Sequence, residues 1–254
     1  MRTYQVELTV TGAITIQRQI RFQADKELQL GNVFTSDVEI KKNAAGVTIS
    51  VTVFTVDKDR AYQVALLFIG KMLDVLAIKI NTALSIHMLD IKPALERNTV
   101  RSILTDDDFR NSFSIARNLN LNETKILRAL NWYRKGLYTD DPFDKFLAFW
   151  NSICVVASGY HTPDERTVQG IINQIWNCFI TLWGQHPNSW PVINGDVNWV
   201  NDNNGIRNDI AHGLITIEIN HITNVLDRLN TVQDVAYRFI TQWSRDRLNY
   251  HLDL

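Results

Sequence analysis

Gly46-Val47-Thr48-Ile49-Ser50-Val51-Thr52-Val53-Phe54-Thr55-Val56 is a β-branched run with a two-residue period, the pattern of a strand with one buried face. The helical periodicity that follows, over Arg60 to Ala83, places Ala61, Val64, Ala65, Phe68, Met72, Val75, Leu76 and Ile80 on one face. A helix of this kind covers an apolar sheet face, and Asp57 or Asp59 is placed to cap it. Upstream, Tyr4 to Val10 and Ile14 to Phe22 alternate apolar and polar residues around Gly12-Ala13, which reads as a β-hairpin. A third strand is expected around Val38 to Lys41, and a short one over Ser85 to Ile91, before Pro93. The first ninety-odd residues therefore read as a small α+β unit.

Composition changes afterwards. All seven tryptophans lie at or after Trp132, and alternation gives way to helical spacing. The expected organisation is α+β: an antiparallel sheet with a covering helix over 1–95, and an all-α bundle over 96–254. Asp106-Asp107-Asp108 reads as the acidic start of a helix, because three consecutive acids lack the alternate spacing of a calcium loop. Glu123 to Leu137 and Phe143 to Ser158 form a helical pair, with Pro142 suited to a first helical position. A helix opened by Pro163-Asp164-Glu165 carries Val168, Ile171, Ile172, Ile175, Trp176, Phe179, Ile180 and Trp183, and Gln185 to Trp199 reads as a loop. The last helix, Glu218 to Leu248, has Ile222, Val225, Leu226, Leu229, Val232, Val235, Ala236, Phe239, Ile240 and Trp243 on one face.

The formal net charge of −1 argues against a protein built to hold long nucleic acid by charge alone. Cys154 and Cys178 have neither metal-ligand nor disulfide spacing and read as small apolar residues. Ala61 to Leu84 is broken by Lys71, Asp74 and Lys79, so it makes a poor membrane span. Met1 runs into a strand rather than into a charged-then-apolar leader, and the expected location is cytoplasmic.

Chemistry concentrates in Arg207-Asn208-Asp209-Ile210-Ala211-His212-Gly213. Asn203 or Asn204 is a candidate cap for this helix, and Gly213 suits the left-handed residue that ends one. At roughly 100° per residue, Asn208 and His212 share a face, while Arg207 and His212 lie about 140° apart. Histidine exchanges protons near neutral pH, and arginine offers a fixed fork of donors that matches phosphate. Together they suit cleavage of an RNA backbone without a metal.

Gly205 to Leu214, with Arg207, Asn208 and His212 at the motif positions, closely resembles the signature of the HEPN domains, a helical family of metal-independent ribonucleases and nucleotide-binding relatives. Upstream, Ile126-Leu127-Arg128-Ala129-Leu130-Asn131-Trp132-Tyr133 and Asp140 to Trp150 resemble the first helices of the ApeA-like HEPN branch, which includes anti-phage effectors. The resemblance covers roughly residues 120 to 245. It implies that the helical domain is HEPN-like, that Arg207, His212 and Asn208 are catalytic, and that no cofactor or metal takes part. His212 would act as acid or base at the ribose 2′-hydroxyl, Arg207 would stabilise charge on the phosphate, and Asn208 would orient one of them or the substrate. It further implies an RNA substrate, a homodimer through the helical domain, and a defence or toxin-like effector. The N-terminal unit would sense a trigger ligand. Two features depart from the pattern. Members of this branch often carry a glutamate where this chain has Cys154, and some HEPN proteins carry a modifiable tyrosine where it has Leu214. Two other functions are compatible with the sequence: a non-catalytic HEPN module for nucleotide or RNA binding or dimerisation, and an accessory protein of bacterial amine metabolism.

Overall fold

The structure, a computed structural model, describes residues 2–29, 32–87, 100–213 and 219–252. The fold is α+β, and the chain divides into two compact units, Met1–Leu127 and Arg128–Leu254. The division lies beyond the expected one after residue 95, which itself falls outside the described residues.

The first unit holds a five-stranded antiparallel sheet in the order β3-β4-β5-β1-β6: β1 (Arg2–Thr11), β3 (Ile20–Gln29), β4 (Asn32–Asn43), β5 (Gly46–Thr55) and β6 (Ser85–His87). Period-two alternation sorts the side chains. Leu8, Val10, Ile20, Phe22, Val38, Ile40, Ile49 and Val51 are buried, while Arg21, Glu39 and Lys41 meet as ion pairs on the polar face. Helix α1 (Lys58–Ile80) packs on β5 and β1, burying Ala61, Val64, Ala65, Ile69 and Met72. Asp57 caps it by accepting the Arg60 N–H at 2.7 Å. Helix α2 (Asp106–Asn122) packs on α1 and belongs to this unit. The acidic run is indeed its N-terminus, closed by a Thr105–Asp108 capping box.

The hairpin expected around Gly12 does not form. Strand β1 pairs with β5 over its whole length, and the short β2 (Ile14–Ile16) instead pairs in parallel with β7 (Ser102–Leu104). Gly12 is a site of close approach: a Cβ there would sit 2.5 Å from the Ala83 carbonyl oxygen and 2.7 Å from Leu84 Cδ2. The strand expected over Ser85 to Ile91 is seen as β6, and its remainder with Pro93 lies outside the described residues.

The second unit is helical: α3 (Thr124–Tyr138), which starts in the first unit, then α4 (Pro142–Tyr160), α5 (Ile171–Trp183), α6 (Trp199–Ala211) and α7 (Ile219–Leu248). Asp141 caps α4 and Pro142 opens it. Helix α4 touches α5, α6 and α7, and accordingly Phe146, Phe149, Trp150, Ile153 and Val156 are fully buried. Two expectations change here. The helix placed after Pro163 is preceded by a 3₁₀ turn at Thr167–Gln169; Gly170, at φ 134°, separates it from α5. Val168 is therefore 78% exposed rather than on the apolar face. On α7, Val225, Val232, Val235, Ala236, Phe239, Ile240 and Trp243 are buried as expected, but Leu226 is exposed. Glu218 lies outside the described residues. Among those residues no helix is long and apolar enough to cross a membrane.

Candidate functional site

Helix α6 carries the motif, and it begins earlier than the sequence indicates. Neither Asn203 nor Asn204 caps it; the helix starts at Trp199, after Asn198, with no side-chain cap. A 3₁₀ turn at Ile193–Gly195 leads in, and Asp196 accepts the Asn198 N–H through Oδ1 at 2.9 Å. Trp199 displaced the predicted start because its ring is anchored: it lies 5.6 Å from the buried Trp150 ring on α4. Asn203 falls one turn later on the same face and is fully buried, donating Nδ2–H to the Trp199 carbonyl oxygen at 2.7 Å.

The i, i+4 geometry continues this seam outward. One turn beyond Asn203 comes Arg207, and one turn beyond Trp150 on α4 comes Cys154. Arg207 is half-buried, and its charge acts on the Cys154 thiol. Burial pushes that thiol up to about 12, and the Arg207 guanidinium only partly opposes the effect. Cys154 is thus a neutral neighbour, half-buried, and Cys178 is a buried free thiol on α5. The Arg207 Nη1–H donates to Asn208 Oδ1 at 2.9 Å. Among the described residues no carboxylate pairs with Arg207. The result is a half-buried cation whose polar neighbours are neutral, an arrangement suited to an anion with two oxygens.

His212 stands just past the last helical residue, at φ −95° and ψ 1°, and is exposed. Its main-chain N–H donates to the Asn208 carbonyl oxygen at 2.9 Å, and Gly213, at φ 64°, takes the left-handed conformation that stops the helix. Among the described residues the imidazole has no hydrogen-bond partner. The three motif residues therefore form a linked pair, Arg207 and Asn208, and a separate ring four residues on; the regular helix keeps Arg207 and His212 apart in angle. Leu214 lies outside the described residues. Chemically, the pair can hold a phosphate and the ring can move a proton in solvent.

The sequence reading missed Asn203, Trp199 and Trp150 as the groups that seat the motif helix, and missed the proximity of Cys154 and Arg207. The signal was present in the four-residue steps Trp199-Asn203-Arg207 and Trp150-Cys154. Among the described residues no cluster of three or more His, Cys, Asp or Glu is placed to hold a metal ion. Comparison with family models, with curated proteins and with solved structures found no match for this chain.

Proposed function

We propose that this protein is a metal-independent endoribonuclease of the HEPN type, with Arg207, Asn208 and His212 as its working residues. The observation that carries the reading is the state of Arg207, a half-buried guanidinium steadied by Asn208 Oδ1, unpaired with any carboxylate among the described residues, on the helix that ends at an exposed imidazole. In this reading Arg207 binds the scissile phosphate and offsets the charge that grows on its oxygens. His212 takes the proton from the 2′-hydroxyl, or gives one to the departing 5′-oxygen. The 2′-oxygen attacks phosphorus, the bond to the 5′-oxygen breaks, and the products are a 2′,3′-cyclic phosphate and a 5′-hydroxyl. Acid–base assistance contributes about 10²–10⁴-fold, and a well-placed donor to the developing charge about 10²–10³-fold.

The angular separation of Arg207 and His212 accommodates a site completed by a second copy, in which each protomer supplies one of the two groups across a two-fold axis. One observation favours a second reading. Cys154 places a neutral thiol beside Arg207, where members of the HEPN branch that the motif resembles often have an acid, and this suits a module that binds nucleotide or RNA without cutting it. Product analysis separates the two. The nuclease reading expects cyclic phosphate and 5′-hydroxyl ends, and no cut at a residue whose 2′-hydroxyl is replaced by hydrogen. RNA bound and recovered intact supports the binding module instead.

A further inference from the structure

The sheet of the first unit opens between two of its inner strands. Strand β4 stays paired with β3 as far as Gln29↔Asn32, and β5 with β1 as far as Arg2↔Thr55, but the β4–β5 ladder ends at Val38↔Val51. Residues 32–37 of β4 and 52–55 of β5 are therefore paired on one side only. Two bonds tie the near end of the gap: the Ser36 hydroxyl donates to the Thr52 carbonyl oxygen at 2.7 Å, and the Asp37 N–H donates to Thr52 Oγ1 at 2.9 Å. A cavity of about 340 Å³ adjoins them, lined by both strands and by Arg60 and Val64 of α1.

The same bonds fix which main-chain groups look into the gap. In a strand the N–H and C=O of one residue point to the same side, and residues two apart repeat that direction. The Thr52 carbonyl faces β4, so the Phe54 N–H and C=O face it too. The Asp37 N–H faces β5, so the Thr35 N–H and C=O do likewise. Val53 and Thr55, by the same parity, turn to β1 and meet Tyr4 and Arg2. Among the described residues neither Phe54 nor Thr35 has a main-chain partner across the gap. Two strand edges thus confront each other with donors and acceptors at strand spacing, and their complement is another main chain. Side chains agree with this. The register puts Phe34 and Val53 on the α1 face and Phe54 on the other, with Phe34 42% and Phe54 55% exposed. An extended chain sends successive side chains to opposite faces, so one residue meets Phe34 and the next meets Phe54. A strand already held in another folded sheet has at most one free edge and cannot lie between β4 and β5. Only a segment unpaired on both edges can.

We propose that the gap between β4 and β5 takes an extended peptide segment of a partner as an inserted strand, bonded through its main chain to Phe54 and Thr35, with an apolar side chain on each face. This is independent of the ribonuclease reading, since it concerns the first unit and is tested by binding alone. Full-length protein is panned with a displayed library of random heptapeptides, and an enriched peptide is synthesised and followed by calorimetry and amide hydrogen exchange. In free protein the Thr35 and Phe54 amides exchange about tenfold or more faster than that of Val53, and bound peptide slows both by about tenfold or more. Methylating either alternate set of peptide amide nitrogens weakens binding about tenfold or more, because each set feeds one of the two strands. Phe54→Ala, a change at an exposed side chain, weakens it while the circular dichroism and melting temperature stay those of the parent. The proposal is overturned if no peptide is enriched, if the bound peptide leaves both amides exchanging as before, or if binding survives methylation of both sets. It is equally overturned if the two amides are protected in a dimer and freed on dilution, because a second copy would then occupy the gap.

Discussion

Gly136 lies inside α3, where helix propensity alone favours alanine by about 1 kcal/mol. The structure reverses that expectation. A Cβ on Gly136 would stand 2.6, 2.7 and 2.9 Å from three ring atoms of Phe149, against a normal carbon–carbon contact of about 3.5–4.0 Å. The ring has no room to retreat, being fully buried on α4 and packed 5.3 Å from the Tyr133 ring. Overpacking of this sort costs about 1–3 kcal/mol, and three contacts with a trapped ring belong at the upper end. Net of propensity, Gly136→Ala destabilises the helical unit by about 2 kcal/mol, and the melting temperature falls by about 4–8 °C. Urea unfolding followed by tryptophan fluorescence reads this directly, all seven tryptophans lying in that unit, as a lower midpoint at unchanged slope. Replacing the ring relieves the clash, so Phe149→Leu costs at least about 0.5 kcal/mol less in the Gly136→Ala background than in the parent. A Gly136→Ala protein stabilised by about the propensity term would refute the α3–α4 packing described here.

Two further expectations concern titration. Burial raises the Asp108 carboxyl, but hydrogen bonds from the Thr105 N–H and hydroxyl, with Lys79 at 3.0 Å, outweigh it and hold the group below its usual value. A depressed folded-state value gives stability that is present above the unfolded value, near 3.8, and lost as pH falls through the folded one. Acid unfolding of the first unit should lose this contribution below about pH 4, and Asp108→Asn should weaken the unit at neutral pH while flattening that part of the pH curve. Burial pushes both cysteines up to about 12, so neither forms appreciable thiolate near neutrality. Folded protein at pH 8 should react slowly with an aromatic disulfide reagent and take up two equivalents in guanidinium chloride; rapid labelling of folded protein would contradict the placement of Cys154 and Cys178.

Local rules carried the sequence reading where local chemistry decides. The β-branched run of β5, the Asp57 cap of α1, the acidic start of α2, Pro142 at the head of α4 and most of the α7 face all follow from neighbours within a few residues. The failures share a different cause. Gly12 looks like a turn residue, yet its lack of a side chain serves close approach to Ala83 and Leu84, more than seventy residues away. The β2–β7 pairing spans nearly ninety residues and no periodicity announces it. At α6 the asparagines resemble caps, but Trp199, wedged against Trp150, sets the helix start and draws Asn203 into the interior. The helical placement of Arg207 and Asn208 was legible, as was the glycine stop after His212. Cys154 beside Arg207 was not, because that contact depends on how α4 and α6 pack.

The most direct test of the proposed chemistry is cleavage of a mixed RNA pool by the purified protein in EDTA, beside Arg207→Ala and His212→Ala variants shown to be folded. The account predicts cutting that survives chelation and drops by at least about a hundredfold in each variant. Cutting that EDTA abolishes, or that persists undiminished in both variants, would contradict it.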